Sequence, residues 1–267
     1  YRIDRHWSIR LNTKQQQQRN DGPFPLAFGT QQAFEEAYKL GYNALGRMND
    51  RTGNTSLIVQ YDGPRVLMTA QSAYQRNYRF YENPLDGDFS SLDAISVANN
   101  YGKDWNNVKV WTQEIRFSNP SGSASPLQWT AGMYFFRQDN PVKQATLFGK
   151  DAGLLGIPDA NSSLINISKE KVNGQALFGQ VSYKAGNTIT LIAGLRFDRE
   201  EKDLSVRGEY EKTGVGNFVI RTDTGSSRNF NAFSPKVGIQ YQPAKGHQYY
   251  VTLTRGYRPG GFTPMNS

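Results

Sequence analysis

Alternation of apolar and polar residues, one by one, is the feature that most limits what this chain can fold into. In 188–198, Ile189, Leu191, Ala193, Leu195 and Phe197 fall on one side of an extended segment. Thr188, Thr190, Ile192, Gly194, Arg196 and Asp198 fall on the other. Phe233, Pro235, Val237, Ile239 and Tyr241 alternate with Ser234, Lys236, Gly238, Gln240 and Gln242. Tyr249, Val251 and Leu253 alternate with Tyr250, Thr252 and Thr254. Successive side chains of a strand point to opposite faces, so this pattern predicts strands with one apolar and one polar face.

The same reading extends upstream. Trp111, Ile115 and Phe117 oppose Thr112, Glu114 and Arg116; Leu127, Trp129, Ala131, Met133 and Phe135 oppose Gln128, Thr130, Gly132 and Tyr134. Nine antiparallel strands are predicted, at 5–19, 54–62, 65–81, 107–118, 126–138, 174–184, 188–203, 231–242 and 248–258. Asp62-Gly63-Pro64, 119–126, 184–187 and 243–247 are short connections rich in turn residues. Between them lie long ones, at 20–52, 82–106, 139–173 and 200–231. Short and long connections in alternation put every long loop at one end of the sheet, as in outer-membrane barrels. Helical spacing predicts short helices in two loops. One is in 30–46, on Phe34, Ala37, Tyr38, Gly41 and Leu45; the other is in 90–98, with Ser90 as cap before Leu92 and Ile95.

Composition narrows the chemistry. The 267 residues include no Cys and 2 His, which removes disulfide frameworks, Cys-bound zinc and thiol nucleophiles. No apolar run is long enough for a transmembrane helix, but a membrane strand needs only about 9–11 residues with every second one apolar. Aromatic residues make up 13% of the chain, which excludes disorder. The net charge of +8 is scattered over every segment, without the basic stripe of a nucleic-acid binder. Glu35–Glu36 and Glu200–Glu201 are adjacent in sequence and point apart, so no carboxylate pair is set for acid–base catalysis. No catalytic residue, metal site or cofactor is expected.

Several segments have distinctive wording as well as pattern. Phe233-Ser-Pro-Lys-Val-Gly-Ile-Gln-Tyr-Gln-Pro243 precedes Gln248-Tyr-Tyr-Val-Thr-Leu-Thr-Arg-Gly-Tyr-Arg-Pro-Gly-Gly-Phe262. Trp111-Thr-Gln-Glu-Ile-Arg-Phe-Ser118 precedes Pro126-Leu-Gln-Trp-Thr-Ala-Gly-Met-Tyr-Phe135. Ala176-Leu-Phe-Gly-Gln-Val-Ser-Tyr183 precedes Leu191-Ile-Ala-Gly-Leu-Arg-Phe-Asp-Arg199. Together they resemble the barrel of TonB-dependent outer-membrane receptors. The resemblance implies an all-β, antiparallel up-and-down transmembrane barrel in the cell outer membrane. It implies uptake of a scarce ligand, most often a ferric siderophore, driven by the inner-membrane TonB complex through a plug and its TonB box. Barrels of that family have about 22 strands. Nine strands, with neither plug nor closing strand in 1–267, read as part of a barrel: an interior piece of a receptor or a truncated gene product. A soluble carbohydrate-binding sandwich and a passive porin are the alternatives. Sandwich strands average about 5–6 residues, shorter than most of the runs here.

Arg116, Arg196, Lys236 and, near the rim, Arg258 are candidates for drawing an anionic ligand to the polar face. The alternative for each is pairing with a nearby acid, such as Glu114 or Asp198. Tyr101 and Phe148 are the loop candidates for ligand contact. Trp7, Tyr61, Trp129, Tyr183, Tyr241 and Tyr249 are expected to form an aromatic girdle near the short turns. Small residues on the polar face (Gly132, Gly194, Gly238) suit the wall of a wide bore, so the two edge strands should not meet. Outer-membrane lipid, the TonB complex and a small-molecule ligand are the expected partners, and nucleic acid is not.

Overall fold

The computed structural model describes residues 1–21, 31, 35, 42–44, 46–103, 105–120 and 122–262. Nine long strands follow one another through a single antiparallel sheet. They are β1 (Trp7–Asp21), β2 (Arg47–Asp62), β3 (Leu67–Tyr81), β6 (Asn107–Ser118), β7 (Leu127–Phe148), β8 (Ser162–Ala185), β9 (Ile189–Lys212), β10 (Gly216–Ala244) and β11 (His247–Thr254). Two short strands, β4 (Leu85–Asp86) and β5 (Ile95–Ala98), lie off that path. Each long strand pairs with its sequence neighbours in the sheet path. β1 and β11 do not pair with each other, so the sheet is an open, curved wall, as the small residues of the polar face predict.

Register explains the two faces. Leu191, Val181, Val237 and Val251 lie on one side, with Leu57, Trp111 and Phe135. All of these apolar side chains are exposed, Val251 at 70% and Leu253 at 74%. No second sheet covers them among the described residues, which removes the sandwich alternative. On β9 the uncharged outward stretch runs from Ile189 to Phe197, the length of a membrane-spanning strand. Trp7, Tyr183, Tyr241 and Tyr249 are exposed on the same side beside the short turns, and Trp7 packs on Tyr61 at 4.9 Å between ring centres. Gly186 (φ 75°) and Gly246 (φ 90°) make the left-handed corners of two of those turns. His6 also lies at this end, its Nδ1 2.7 Å from the carbonyl oxygen of Asp62.

The opposite end differs from the sequence expectation. Two of the predicted long connections are mostly strand. β7 runs on to Phe148 and β8 begins at Ser162, while β9 and β10 turn on Thr213–Val215 alone. A 24-residue strand such as β9 is roughly 80 Å long, more than twice the part that crosses a bilayer. Ser90 does not start a helix. Its hydroxyl accepts the Leu92 N–H at 3.0 Å, while the Asp88 carboxylate takes the N–H groups of Ala94 (3.2 Å) and Ile95 (2.7 Å). With those donors bound to Asp88, Ile95–Ala98 extends as β5 along the edge of β7 that β6 leaves open. The short helix of this end is a 3-10 turn at Ala152–Leu155 instead. The helix predicted in 30–46 falls, at Phe34, Ala37, Tyr38, Gly41 and Leu45, outside the described residues.

Between β5 and β6 the chain leaves the sheet at Asn99 and returns at Asn106. The Tyr101 N–H donates to the Lys143 carbonyl (3.0 Å) and the Asn106 N–H to the Pro141 carbonyl (3.0 Å). Pro141 has no N–H, and in an antiparallel strand that group would point to the same side as its carbonyl. The proline therefore sits where the ladder is already interrupted.

Candidate functional site

Three of the predicted site residues share the concave face. Arg116, Gly132, Phe178, Arg196 and Ser234 stand side by side on β6 to β10 in one cross-strand row. Glu114, Tyr134, Ala176 and Asp198 form the next row towards the long-strand end, and Thr130, Gln180, Gly194, Lys236 and Thr254 the row on the other side. Arg116 and Arg196 are three strand spacings apart, about 14 Å.

Both arginines are paired with acids of their own strands. Arg116 is bonded to Glu114. The Arg196 guanidinium grips Asp198 with Nε at 2.9 and 3.0 Å and Nη2 at 2.8 Å. Residues two apart on a strand share a face, so each pair lies flat along the wall. Lys202 and Glu200 repeat the motif two positions further on, at 3.2 Å. Lys236 differs. Its ammonium donates to the neutral Gln180 Oε1 at 3.1 Å, so its charge is not cancelled by a partner. A ligand anion meets an uncompensated cation only there in these three rows.

Around Lys236 the wall forms a groove of about 540 Å³, lined among others by Phe178, Gln180, Arg196, Ser234 and Tyr257. Two details shape it. The Phe178 ring lies across Gly132, where a Cβ would come within 2.6 Å of the ring. The Arg196 guanidinium stands 5.9 Å over the same ring. The Tyr257 hydroxyl is buried with no hydrogen-bond partner among the described residues. This set of an ammonium, a phenol and an amide can bind carboxylate or catecholate oxygens, and it holds no nucleophile–base pair. Among the described residues no cluster of acids or histidines forms a metal site.

The other three predicted residues do not join this group. Arg258 is exposed beyond β11. Phe148 ends β7, sixteen residues above Gly132, roughly 50 Å along the strand. Tyr101 sits on the convex side, where its hydroxyl donates to Glu211 (2.9 Å) and Lys143 Nζ stands 5.6 Å over its ring. Burial, then the bond and charge of Glu211, hold its phenol above the ordinary value. The residues that sequence reading missed are Phe178, Gln180 and Tyr257. Strand parity assigns Phe178 and Gln180 to the polar face, but only the pairing register sets them between Arg116 and Lys236.

The family model described as "TonB dependent receptor-like, beta-barrel" matches residues 2–267. The chain belongs to the TonB-dependent receptor β-barrel family. Two solved structures of siderophore receptors share its fold. The ferric yersiniabactin uptake receptor FyuA of Yersinia pestis superposes at a TM-score of 0.70 with 14% identity, over 99% of this chain and 37% of its own. The ferric-catecholate import receptor Fiu of E. coli superposes at 0.58 with 13% identity, over 95% of this chain and 45% of its own. The chain thus spans less than half the length of either receptor. Members of the family are outer-membrane receptors and transporters, and they work with TonB. The exposed apolar stripe of this TonB-dependent receptor barrel is its lipid face, and the paired-charge rows face the lumen.

Proposed function

We propose that this chain supplies part of the lumen wall of an outer-membrane receptor that imports a ferric siderophore, with energy delivered through TonB. The observation that carries the reading is the Lys236 groove. An uncancelled cation stands there beside a phenol and an amide, next to Arg116 and Arg196, which are each paired with an acid of their own strand. Anionic chelates are drawn to such a site, and its polarity suits passage rather than a dry, tight pocket. Both solved relatives are by name receptors for ferric chelates, which supports iron as the cargo. The groove performs no covalent chemistry in this reading; it binds and releases. Uptake is the work of the full-length receptor, to which the plug and the remaining wall are assigned as further parts.

The test is uptake of radiolabelled iron by iron-starved cells whose only receptor is the full-length protein, offered carboxylate and catecholate siderophores in turn. Uptake of at least one, abolished when TonB is removed, is the expected result. Uptake that persists without TonB makes the protein a passive pore. Lys236→Gln should raise the half-saturating concentration of an anionic chelate several-fold. No change for any chelate used would remove the groove from the binding path.

A further inference from the structure

The concave face changes character above the apolar band, which ends near Phe197 on β9. At one height the inward residues are Asn140, Val142 and Gln144 on β7, Asn166, Ser168 and Glu170 on β8, and Leu204, Val206 and Gly208 on β9. They form three cross-strand rows, and the topmost runs Gln144, Asn166, Gly208 and Arg221. The outward residues of the same stretch are largely charged, among them Asp139, Lys143, Lys169, Lys171, Asp203 and Arg207. Both faces stand beyond the lipid and meet water at this height. Solubility therefore does not account for amides and valines on the inner one.

Two grooves meet on β7. One, of about 350 Å³, lies between β3 and β7 above the start of β6, with Asn77, Tyr81, Asn99 and Asn106 in its lining. The other, of about 330 Å³, lies over β7 to β10, with Asn166, Ser168, Leu204 and Val206 in its lining. Asn140, Val142 and Gln144 line both. The side-chain amides of Asn99, Asn140, Gln144 and Asn166 make no hydrogen bond among the described residues. The Asn106 Oδ1 is buried at the wall, also with no partner among the described residues. An unpaired buried acceptor is costly, so this wall is complete only with a further donor. The charges of the lining offset one another. Arg79 is paired with Asp50 at 2.6 Å, and Glu170 and Arg221 have opposite signs.

We infer that this amide shelf binds an uncharged oligosaccharide in the outer part of the lumen. An amide side chain offers both donor and acceptor, and so does a sugar hydroxyl, whereas the oxygens that hold iron in a chelate only accept. Val142, Leu204 and Val206 supply an apolar floor for the C–H faces of sugar rings, with the amides around it fixing orientation. The two grooves extend from β3 to β10, five strand spacings or about 24 Å, which gives room for several linked rings rather than one. Gly208 is fourteen residues above Gly194, the ladder partner of Lys236, roughly 45 Å along the strand. A single small chelate does not reach both places. The shelf is thus a site separate from the Lys236 groove, and the inference does not depend on iron as the cargo.

The test is calorimetric titration of the full-length receptor in phosphatidylcholine nanodiscs, free of glycoside detergent. The probes are maltotetraose and cellotetraose, with tetragalacturonate as the charged comparison. At least one neutral tetrasaccharide should bind, several-fold more tightly than tetragalacturonate. In the double variant Asn140→Leu, Asn166→Leu that binding should weaken about tenfold, with the affinity for an anionic ferric chelate unchanged. Failure of the unaltered receptor to bind either neutral probe overturns the inference whether or not the variant folds. So does sugar binding that survives in the variant, because the sugar then sits elsewhere. Equal binding of tetragalacturonate overturns the assignment to an uncharged ligand. A receptor that binds the sugar but imports no ferric chelate defeats only the proposed function, whereas one that imports the chelate and binds neither sugar defeats only this inference.

Discussion

The lower and upper halves of the same strands are built on different principles. From Ile189 to Phe197 on β9, one face is apolar and exposed to lipid, the other polar and turned to the lumen. From Arg199 to Glu211 the outward face is polar throughout, while Leu204 and Val206 lie on the inward one, and the strand continues far past any bilayer. The lower half is held by the ladder and the membrane. The upper half has the ladder too, but it is tied by single side chains, such as Asp88 on the N–H groups of Ala94 and Ile95, and Asp159 on Lys212 and Tyr210. A solvent common to all lower strands enforces one pattern, whereas each upper tie is a separate local solution.

The sharpest way to break this contrast is to put the same charge in both halves. Val237 is 55% exposed on the lipid side of β10, near the middle of the apolar run Phe233–Tyr241. Val237→Arg should destabilise the folded barrel by about 2–4 kcal/mol, as a cation at the bilayer midplane does. Ser227→Arg, on the same side of the same strand but above the band, should change stability by less than about 0.5 kcal/mol. Reversible folding of the full-length protein into bilayers measures both. Equal costs would mean that the apolar stripe does not meet lipid.

A second pair probes packing. A Cβ at Gly132 would lie 2.6 Å from both the Phe178 ring and the Ile115 carbonyl oxygen, and backbone gives way little. Gly132→Ala should cost about 1–3 kcal/mol by overpacking and shift the Phe178 ring into the Lys236 groove. At Gly225, in the upper half, the nearest atom is the Leu204 carbonyl oxygen at 3.7 Å. Gly225→Ala should be neutral within about 0.5 kcal/mol. Chemical unfolding of the two variants separates these outcomes.

The upper ties can be cut one at a time. Asp88→Ala removes the acceptor for Ser90, Ala94 and Ile95. A lost set of bonds to a charged group is worth about 1–3 kcal/mol, and here it should appear as local opening. Amide exchange of Ile95–Ala98 should accelerate while that of the lower β7 ladder does not change. Acceleration in both would mean that the two halves are one cooperative unit.

What the sequence revealed follows the same division. Ile189–Phe197 and Phe233–Tyr241 announce their faces because lipid requires every second residue to be apolar. Arg116, Arg196 and Lys236 were assigned to the polar face by parity alone. Above the band, Leu204 and Val206 alternate with Asp203, Ser205 and Arg207, but on the face opposite to Leu191 and Leu195, so the apolar stripe changes sides. The strand predicted to end at 203 continues as β9 to Lys212. Leu92 and Ile95 have helical spacing, but the Asp88 carboxylate that claims the intervening donors has no periodic signature. Tyr101 and Phe148 were named as ligand contacts because loops on a rigid scaffold carry binding residues. The strand extensions separate them from Arg116 and Arg196 by tens of ångströms.

The smallest effect expected is a titration. Asp159 lies in the connection between β7 and β8 and binds Lys212 and Tyr210 at the top of β9. The hydrogen bond from Lys212, then that from Tyr210, holds its carboxyl below the ordinary 3.8. The folded value is thus lower than the unfolded one. The contribution of the tie is complete above the unfolded value and is lost as pH falls through the folded value. Lys212 is shifted the other way by the same bond, above its usual 10.5, so its charge is constant from neutral pH down. Between about pH 5 and pH 9 the tie should therefore be insensitive to pH. Below the ordinary carboxylate range, the Thr213 N–H, which donates to the Asn161 carbonyl at 3.1 Å, should lose protection once its intrinsic exchange rate is divided out. Asp159→Asn should remove that acid dependence and leave the lower ladder untouched. Acid loss at Thr213 that survives in Asp159→Asn would place the titrating group elsewhere. Acid loss spreading into Ile189–Phe197 would show that the upper ties also hold the lipid-facing wall.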